Sequence, residues 1–205
     1  LKYMDIRREV LGHINQYSIA GTQVAPSYNN QADYLSRIPQ LINEGLVNIM
    51  TLVKKEPVVY PLTDGERVGD FVRYTLPEDF FSLRTGGFCR TAHGRFERCN
   101  DYKLQGKRFL LVPAELEGSF TAEYYRWPHQ LPLSPADDFE LEEDLDVIQT
   151  ATYYAAAQLV MFENEFAYAS LYNDYESRLS RLGPGVTMEA AATDDVYGFS
   201  AGWGV

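Results

Sequence analysis

Cysteine, histidine and positive charge are all in short supply in this 205-residue chain. Two Cys cannot staple a small secreted scaffold, so the disulfide-rich class is excluded. Three His occur, at 13, 93 and 129, and none sits beside a Ser, Cys or Asp in a nucleophile signature. No Walker loop or G-x-G-x-x-G is present. No apolar run approaches the ~20 residues that a bilayer crossing needs, and Leu1 to Asp5 form no apolar signal core. Lys and Arg number 18 against 29 acids, a net charge of −11, and the pI is about 4.7. A groove that works by neutralising phosphates therefore does not dominate the surface. The expectation is a soluble chain made in a reducing cytoplasm, without cofactor or metal, and not an enzyme.

Hydrophobic residues at 45% and charged residues at 23% describe a globular chain rather than a disordered one. At this length a chain buries roughly 70% of its unfolded surface, enough for a core without staples. The 15 Tyr favour wet interfaces, because the ring is apolar and its hydroxyl is not.

The charge is unevenly placed. From Trp127 to Ser177 there is no Lys or Arg, while eleven acids accumulate, among them Asp137, Asp138, Glu140, Glu142 and Glu143. One reading is a solvated helix start, where acids meet the positive end of the helix dipole. The other is a surface for a basic partner, or a lumen that repels DNA.

Hydrophobic period divides the chain. Ile6, Val10, Ile14 and Tyr17 form a helical stripe with Asp5 as N-cap. A second helix is predicted from about Asp33 to Val53, striped by Leu35, Ile38, Ile42, Leu46, Ile49, Met50 and Val53, with Pro39 in its second turn. After Pro57 the pattern turns to strands: Val58–Tyr60, Val68–Leu76, around Phe88, Tyr102–Leu104, Arg108–Val112 and Ser119–Tyr125. Leu76 to Phe80 reads as a strand-exit turn and Gly86-Gly87 as a turn. Helix returns at about Glu142, with Leu145, Ile148, Thr152, Ala155, Leu159 and Phe162 in register. Ala155 to Ala157 permit close approach of another helix. A break near Asn164 precedes a last helix carrying Leu171, Tyr175, Leu179 and Leu182, stopped by Gly183-Pro184-Gly185. The predicted class is α+β: a four-helix unit (1–56 and 128–182), an inserted antiparallel sandwich or barrel (57–127), and an extended tail (183–205).

Few constellations carry chemistry. Cys89, His93 and Cys99 form C-x3-H-x5-C, one ligand short of a structural zinc site. They read better as independent thiols on a hairpin, with a Cys89–Cys99 bridge after release into oxidising surroundings as the lesser alternative. Arg84, Arg90, Arg95 and Arg98 surround them in the one basic cluster, interleaved with Phe88 and Phe96. It is either a solvated hairpin tip or a patch for an acidic protein surface. His13 reads as helix surface. Glu78-Asp79 lies on a strand exit, where adjacent side chains point apart, which suits a two-carboxylate hydrolase poorly.

Four stretches together resemble the head-to-tail connector, or adaptor, proteins of tailed bacteriophages. They are the opening Tyr3-Met4-Asp5-Ile6-Arg7-Arg8-Glu9-Val10-Leu11, then the run from Asp33-Tyr34-Leu35 to Asn43-Glu44-Gly45, then Tyr74-Thr75-Leu76-Pro77-Glu78-Asp79-Phe80. The fourth joins Tyr153-Tyr154-Ala155-Ala156-Ala157-Gln158-Leu159 to Tyr172-Asn173-Asp174-Tyr175. The resemblance spans most of residues 1 to 182 and consists of packing patterns rather than catalytic signatures.

The resemblance implies a structural virion protein at the head-to-tail junction, assembled in the host cytoplasm. Such proteins form a homo-oligomeric ring, usually dodecameric, between the portal protein and tail or neck proteins. DNA passes through the channel without specific binding, and no membrane is involved. Tyr197, Phe199 and Trp203 would anchor the tail on the portal or a neighbouring subunit. Arg84, Arg90, Arg95 and Arg98 would face a subunit or the tail. Asp137, Asp138, Glu140, Glu142 and Glu143 would line the lumen or an interface. The alternative is a non-enzymatic module binding sugar or protein on the β insertion, through Tyr124, Tyr125 and Trp127.

Overall fold

In the computed structural model, residues 1–14, 30–53 and 57–183 are described. The chain is α+β, with helices at both ends of the described sequence and strands between them. Helix α1 (Tyr3–His13) and helix α2 (Asn30–Leu52) come first. Eight strands follow: β1 (Pro57–Leu62), β2 (Glu66–Val68), β3 (Phe71–Thr75), β4 (Phe80–Ala92), β5 (Arg95–Arg98), β6 (Lys103–Gln105), β7 (Phe109–Pro113) and β8 (Ser119–Arg126). Helices α3 (Leu145–Val160) and α4 (Glu165–Leu182) complete it.

The predicted helical stripes find their partners in one core. Ile6, Val10, Ile38, Ile42, Leu46, Ile49 and Ile148 have no solvent exposure. Helix α3 lies at the centre. Ala155, Ala156 and Ala157 are three successive residues, about 100° apart around the axis, and all are fully buried. A helix that is apolar all round must be covered on every side, and α1, α2 and α4 do so. Small residues set the spacing. A Cβ on Gly45 of α2 would lie 3.2 Å from Ala151 Cβ and 3.2 Å from Tyr154 Cδ1.

Several boundaries differ from expectation. Asp5 does not cap α1; Lys2 is the N-cap and makes no side-chain cap. The first helical N–H groups donate instead to tertiary carbonyls, Tyr3 N to Phe139 O (2.8 Å) and Met4 N to Asp137 O (3.0 Å). Asp5 faces Arg8 at 3.7 Å. Helix α3 starts at Leu145 rather than Glu142, and Leu145 and Phe162, which continue the stripe in sequence, are 54% and 88% exposed. At α4 the predicted signals hold: Asn164 Oδ1 accepts from Ala167 N at 3.0 Å, and Gly183 at φ +51 ends the helix.

The strands form two antiparallel sheets, ordered β1-β8-β4-β5 and β2-β3-β7-β6. Phe88, Phe120, Ala122 and Tyr124 from the first meet Leu110, Val112 and Leu76 of the second in a shared core, making a sandwich. The run Val68–Leu76 is not one strand. A two-residue turn opened by Gly69 at φ +62 splits it into β2 and β3.

Gly86-Gly87 is not a turn but a bulge within β4. Leu83 pairs with Tyr124 and Phe88 with Ala122, so four residues bulge opposite Glu123 alone. Gly86 sits at φ +67, and a Cβ on Gly87 would come within 2.4 Å of Glu123 O. Both positions therefore require glycine.

The sandwich and bundle cores share no residue, and no helix packs substantially on a strand. Between β8 and α3 the chain crosses the bundle surface. Asn43 clamps it there through two 2.8 Å bonds, Nδ2 donating to Leu131 O and Leu131 N donating to Oδ1. Leu131 and Leu141 from this crossing enter the helical core.

Candidate functional site

The β4–β5 hairpin carries the expected basic cluster. It closes through His93 (φ +50) and Gly94 (φ +76), two positive values in a two-residue loop, as a type I′ turn demands. Strand alternation then separates the four arginines. Cys89 pairs with Arg98 and with Thr121, so Arg98 and Phe96 stand on the outer sheet face with Thr121 and Glu123. Arg84 joins that face through a 3.0 Å ion pair to Glu123. Arg90 and Arg95 lie on the opposite face, where Arg90 Nε donates to Glu97 at 2.7 Å. The four do not form a single patch. Arg95 and Arg98 are exposed, with no ion pair among the described residues, at a strand whose outer edge is unpaired.

The C-x3-H-x5-C residues are not brought together. His93 at the turn is four extended residues from Cys89, roughly 13 Å along the strand. Among the described residues no cluster of His, Cys, Asp and Glu could hold a metal. Both thiols are free. Burial raises the Cys89 pKa, with Glu123 adding to the rise and Arg98 opposing it. The protonated form is favoured, which is wrong for a nucleophile.

The acidic stretch divides by role. Asp137 accepts from the α1 terminus through its carbonyl and pairs with Arg7 at 2.9 Å through its carboxylate. Asp138, Glu140 and Glu142 remain exposed. Glu143 does not face solvent at all. Its side chain is 2% exposed and meets Arg126, 11% exposed, in a bidentate pair: Nη1 to Oε1 at 3.0 Å and Nη2 to Oε2 at 3.1 Å. His129 N also donates to Oε1, at 2.6 Å. Arg126 ends β8 and Glu143 precedes α3, so this pair latches sandwich to bundle. Nothing in the run of acids marks Glu143 apart; its partner lies 17 residues away.

Of the three rings expected to be exposed for stacking, Tyr124 is buried. Tyr124 is 2% exposed, and its hydroxyl donates to Asp79 Oδ1 at 2.8 Å. Burial, reinforced by Asp79, raises its pKa. Trp127 packs edge-on against Phe81, centroids 4.5 Å apart, with Lys107 Nζ over both rings. Asp79 is thus structural, while Glu78 is exposed at the strand exit.

His13 is not plain helix surface. Its ring lies 3.9 Å from the Tyr153 ring, and Nε2 is 3.2 Å from Thr152 Oγ1. Burial, then the nearby Arg178 charge, pushes its pKa down to about 4, against the opposite pull of Asp174. Glu9, 4.0 Å from it, is pushed up by burial. The imidazole is neutral at pH 7 and wedged between helices.

The feature missed in the sequence is the α3–α4 corner. Met161 to Phe166 are all exposed, with Phe162 at 88% and Phe166 at 86%. Two phenylalanines held in water, flanked by Glu163 and Glu165, are the most exposed large apolar side chains described. Glu163 accepts the Tyr34 hydroxyl proton in a hydrogen bond that ties the corner to α2. The available signal was the break at Asn164, which ends the covered part of α3 before Phe162.

The expected tail anchors Tyr197, Phe199 and Trp203 lie outside the described residues. No described helix is long and apolar enough to cross a membrane. Among the described residues, one open groove beside α3 and α4 is lined by Asp146, Arg178 and Arg181 with Thr150 and Leu182, and another on the sandwich by Asp101, Lys103 and Glu115. Comparison with models of known protein families and with curated proteins gives no match.

Proposed function

We propose that this protein is a structural virion component, a head-to-tail connector that rings the DNA channel between portal and tail. The observation that carries this reading is topological. A bundle built around α3 is interrupted between its second and third helices by a complete β-sandwich, the architecture the connector resemblance implies. Every helical stretch that carries the resemblance falls on α1, α2, α3 or α4 and contributes to the one bundle core.

Surface chemistry supports the same reading. What the chain offers to solvent is an aromatic corner, a basic sheet edge and an acidic crossing, all suited to protein contact. Asp138, Glu140 and Glu142, unpaired by any neighbouring cation in their stretch of sequence, would keep a nearby duplex from adhering. In this role the protein has the portal and tail or neck proteins as partners and resides in the virion, with no turnover.

The test is electron microscopy of particles from a phage carrying a nonsense mutation in this gene. DNA-leaking heads without tails are expected. Complete tailed particles would sink the connector reading.

A further inference from the structure

We propose that the α3–α4 corner of one copy docks on the β5 edge of a second copy, a head-to-tail contact between unlike surfaces. The corner presents Phe162 and Phe166 within an acidic frame of Glu163 and Glu165. The edge presents Phe96, 65% exposed, with Arg98 on the same sheet face and Arg95 beside it. Apolar meets apolar, and acid meets base.

The charge pattern excludes the simpler symmetric dimer. Back-to-back corners would press Glu163 and Glu165 against their own copies, and back-to-back edges would oppose Arg95 and Arg98. Like charges held together disfavour both, so only the unlike pairing removes both penalties. The three rings bring roughly 500 Å² of apolar surface, about a third of a standard interface.

The contact is between chains, not within one. Helix α3 carries the corner away from the Arg126–Glu143 latch by its sixteen residues, about 24 Å. Strand β8 runs the other unit away from the same latch, and Thr91, next to the hairpin turn, pairs with its far end at Ser119. Both patches remain exposed in the single chain. Unlike surfaces on one molecule build rings or filaments rather than closed dimers. The inference deepens the ring reading by naming the surfaces that would mate, but its test does not depend on a portal.

Two variants separate the surfaces: Phe162→Ser with Phe166→Ser at the corner, and Phe96→Ser with Arg98→Glu at the edge. All four positions are exposed, and circular dichroism checks the fold. In sedimentation velocity up to about 1 mM protein, the wild type should associate beyond dimer, and less so as salt rises. Each variant should lose at least tenfold in association. An equimolar mixture of the two should then form a heterodimer and stop, because each partner keeps one working surface. A wild type that stays monomeric, a mixture that does not pair, or an edge variant that still dimerises would each overturn the proposal. Tailless phage heads combined with a monomeric wild type would overturn this contact while leaving the connector reading intact.

Discussion

Removing either half of the Arg126–Glu143 pair should cost far more than removing both. The two side chains are 11% and 2% exposed and share two bonds of 3.0 and 3.1 Å. A charge left alone at such a site cannot recover its hydration, so Arg126→Met or Glu143→Leu should each destabilise by about 3–5 kcal/mol. In the double variant no charge is orphaned. What remains are the His129 N–H, which now donates to Glu143 Oε1 at 2.6 Å, and Trp127 O, which now accepts from Arg126 Nη1 at 3.2 Å; losing these partners costs about 1–3 kcal/mol together. The double variant should therefore be more stable than either single one, with a coupling energy of at least about 3 kcal/mol. Urea unfolding followed by far-ultraviolet circular dichroism, on all four proteins at one pH, measures this. Single losses below about 1 kcal/mol, as for a solvated surface pair, would refute the claim that the latch is buried and charged.

Two further outcomes follow from the bundle. Gly45→Val forces branched carbon against Ala151 and Tyr154, already 3.2 Å from a bare Cβ, and should cost about 1–3 kcal/mol in a thermal melt. Gly45→Ala should be near neutral, since its tight contact is offset by the better helix propensity of Ala. His13, with a folded pKa of about 4 against 6.5 when unfolded, binds its proton more readily in the unfolded chain. Stability should fall as pH drops from 6.5 to 4, by up to about 3 kcal/mol, partly offset by Glu9, whose raised pKa acts in the opposite sense. His13→Gln should flatten that slope in melting temperatures taken across the window; an unchanged slope would show that His13 is solvated.

The legible parts of this fold are those where one face decides. Ile38, Ile42, Leu46 and Ile49 repeat at helical spacing and are all fully buried, because a long helix against a core leaves no other register. The same rule overreaches at α3. Leu145 and Phe162 obey the period but stand beyond the helices that cover the middle, and a stripe does not say where its partners end. Gly86-Gly87 shows a different limit. A bulge and a turn both call for positive φ and missing Cβ, and only the approach of Glu123 from β8 tells them apart. At the arginines, a cluster in sequence became two half-clusters, since a strand sends neighbours to opposite faces. Glu143 was invisible among its fellow acids because its burial depends on Arg126, set by how the chain leaves the sandwich.

The position of α3 has a consequence for synthesis on the ribosome. Helices α1 and α2 emerge first, yet the surface they bury belongs to a helix that begins about 90 residues after α2 ends, which at 5–20 residues per second is roughly 5–20 s later. During that interval the sandwich, contiguous in sequence and closed by β8, can fold as a unit. The Ile38–Ile49 stripe meanwhile lacks its main native partner and stays open to chaperones or to neighbouring nascent chains. Of the elements described, α1 and α2 are therefore made before the others and packed last.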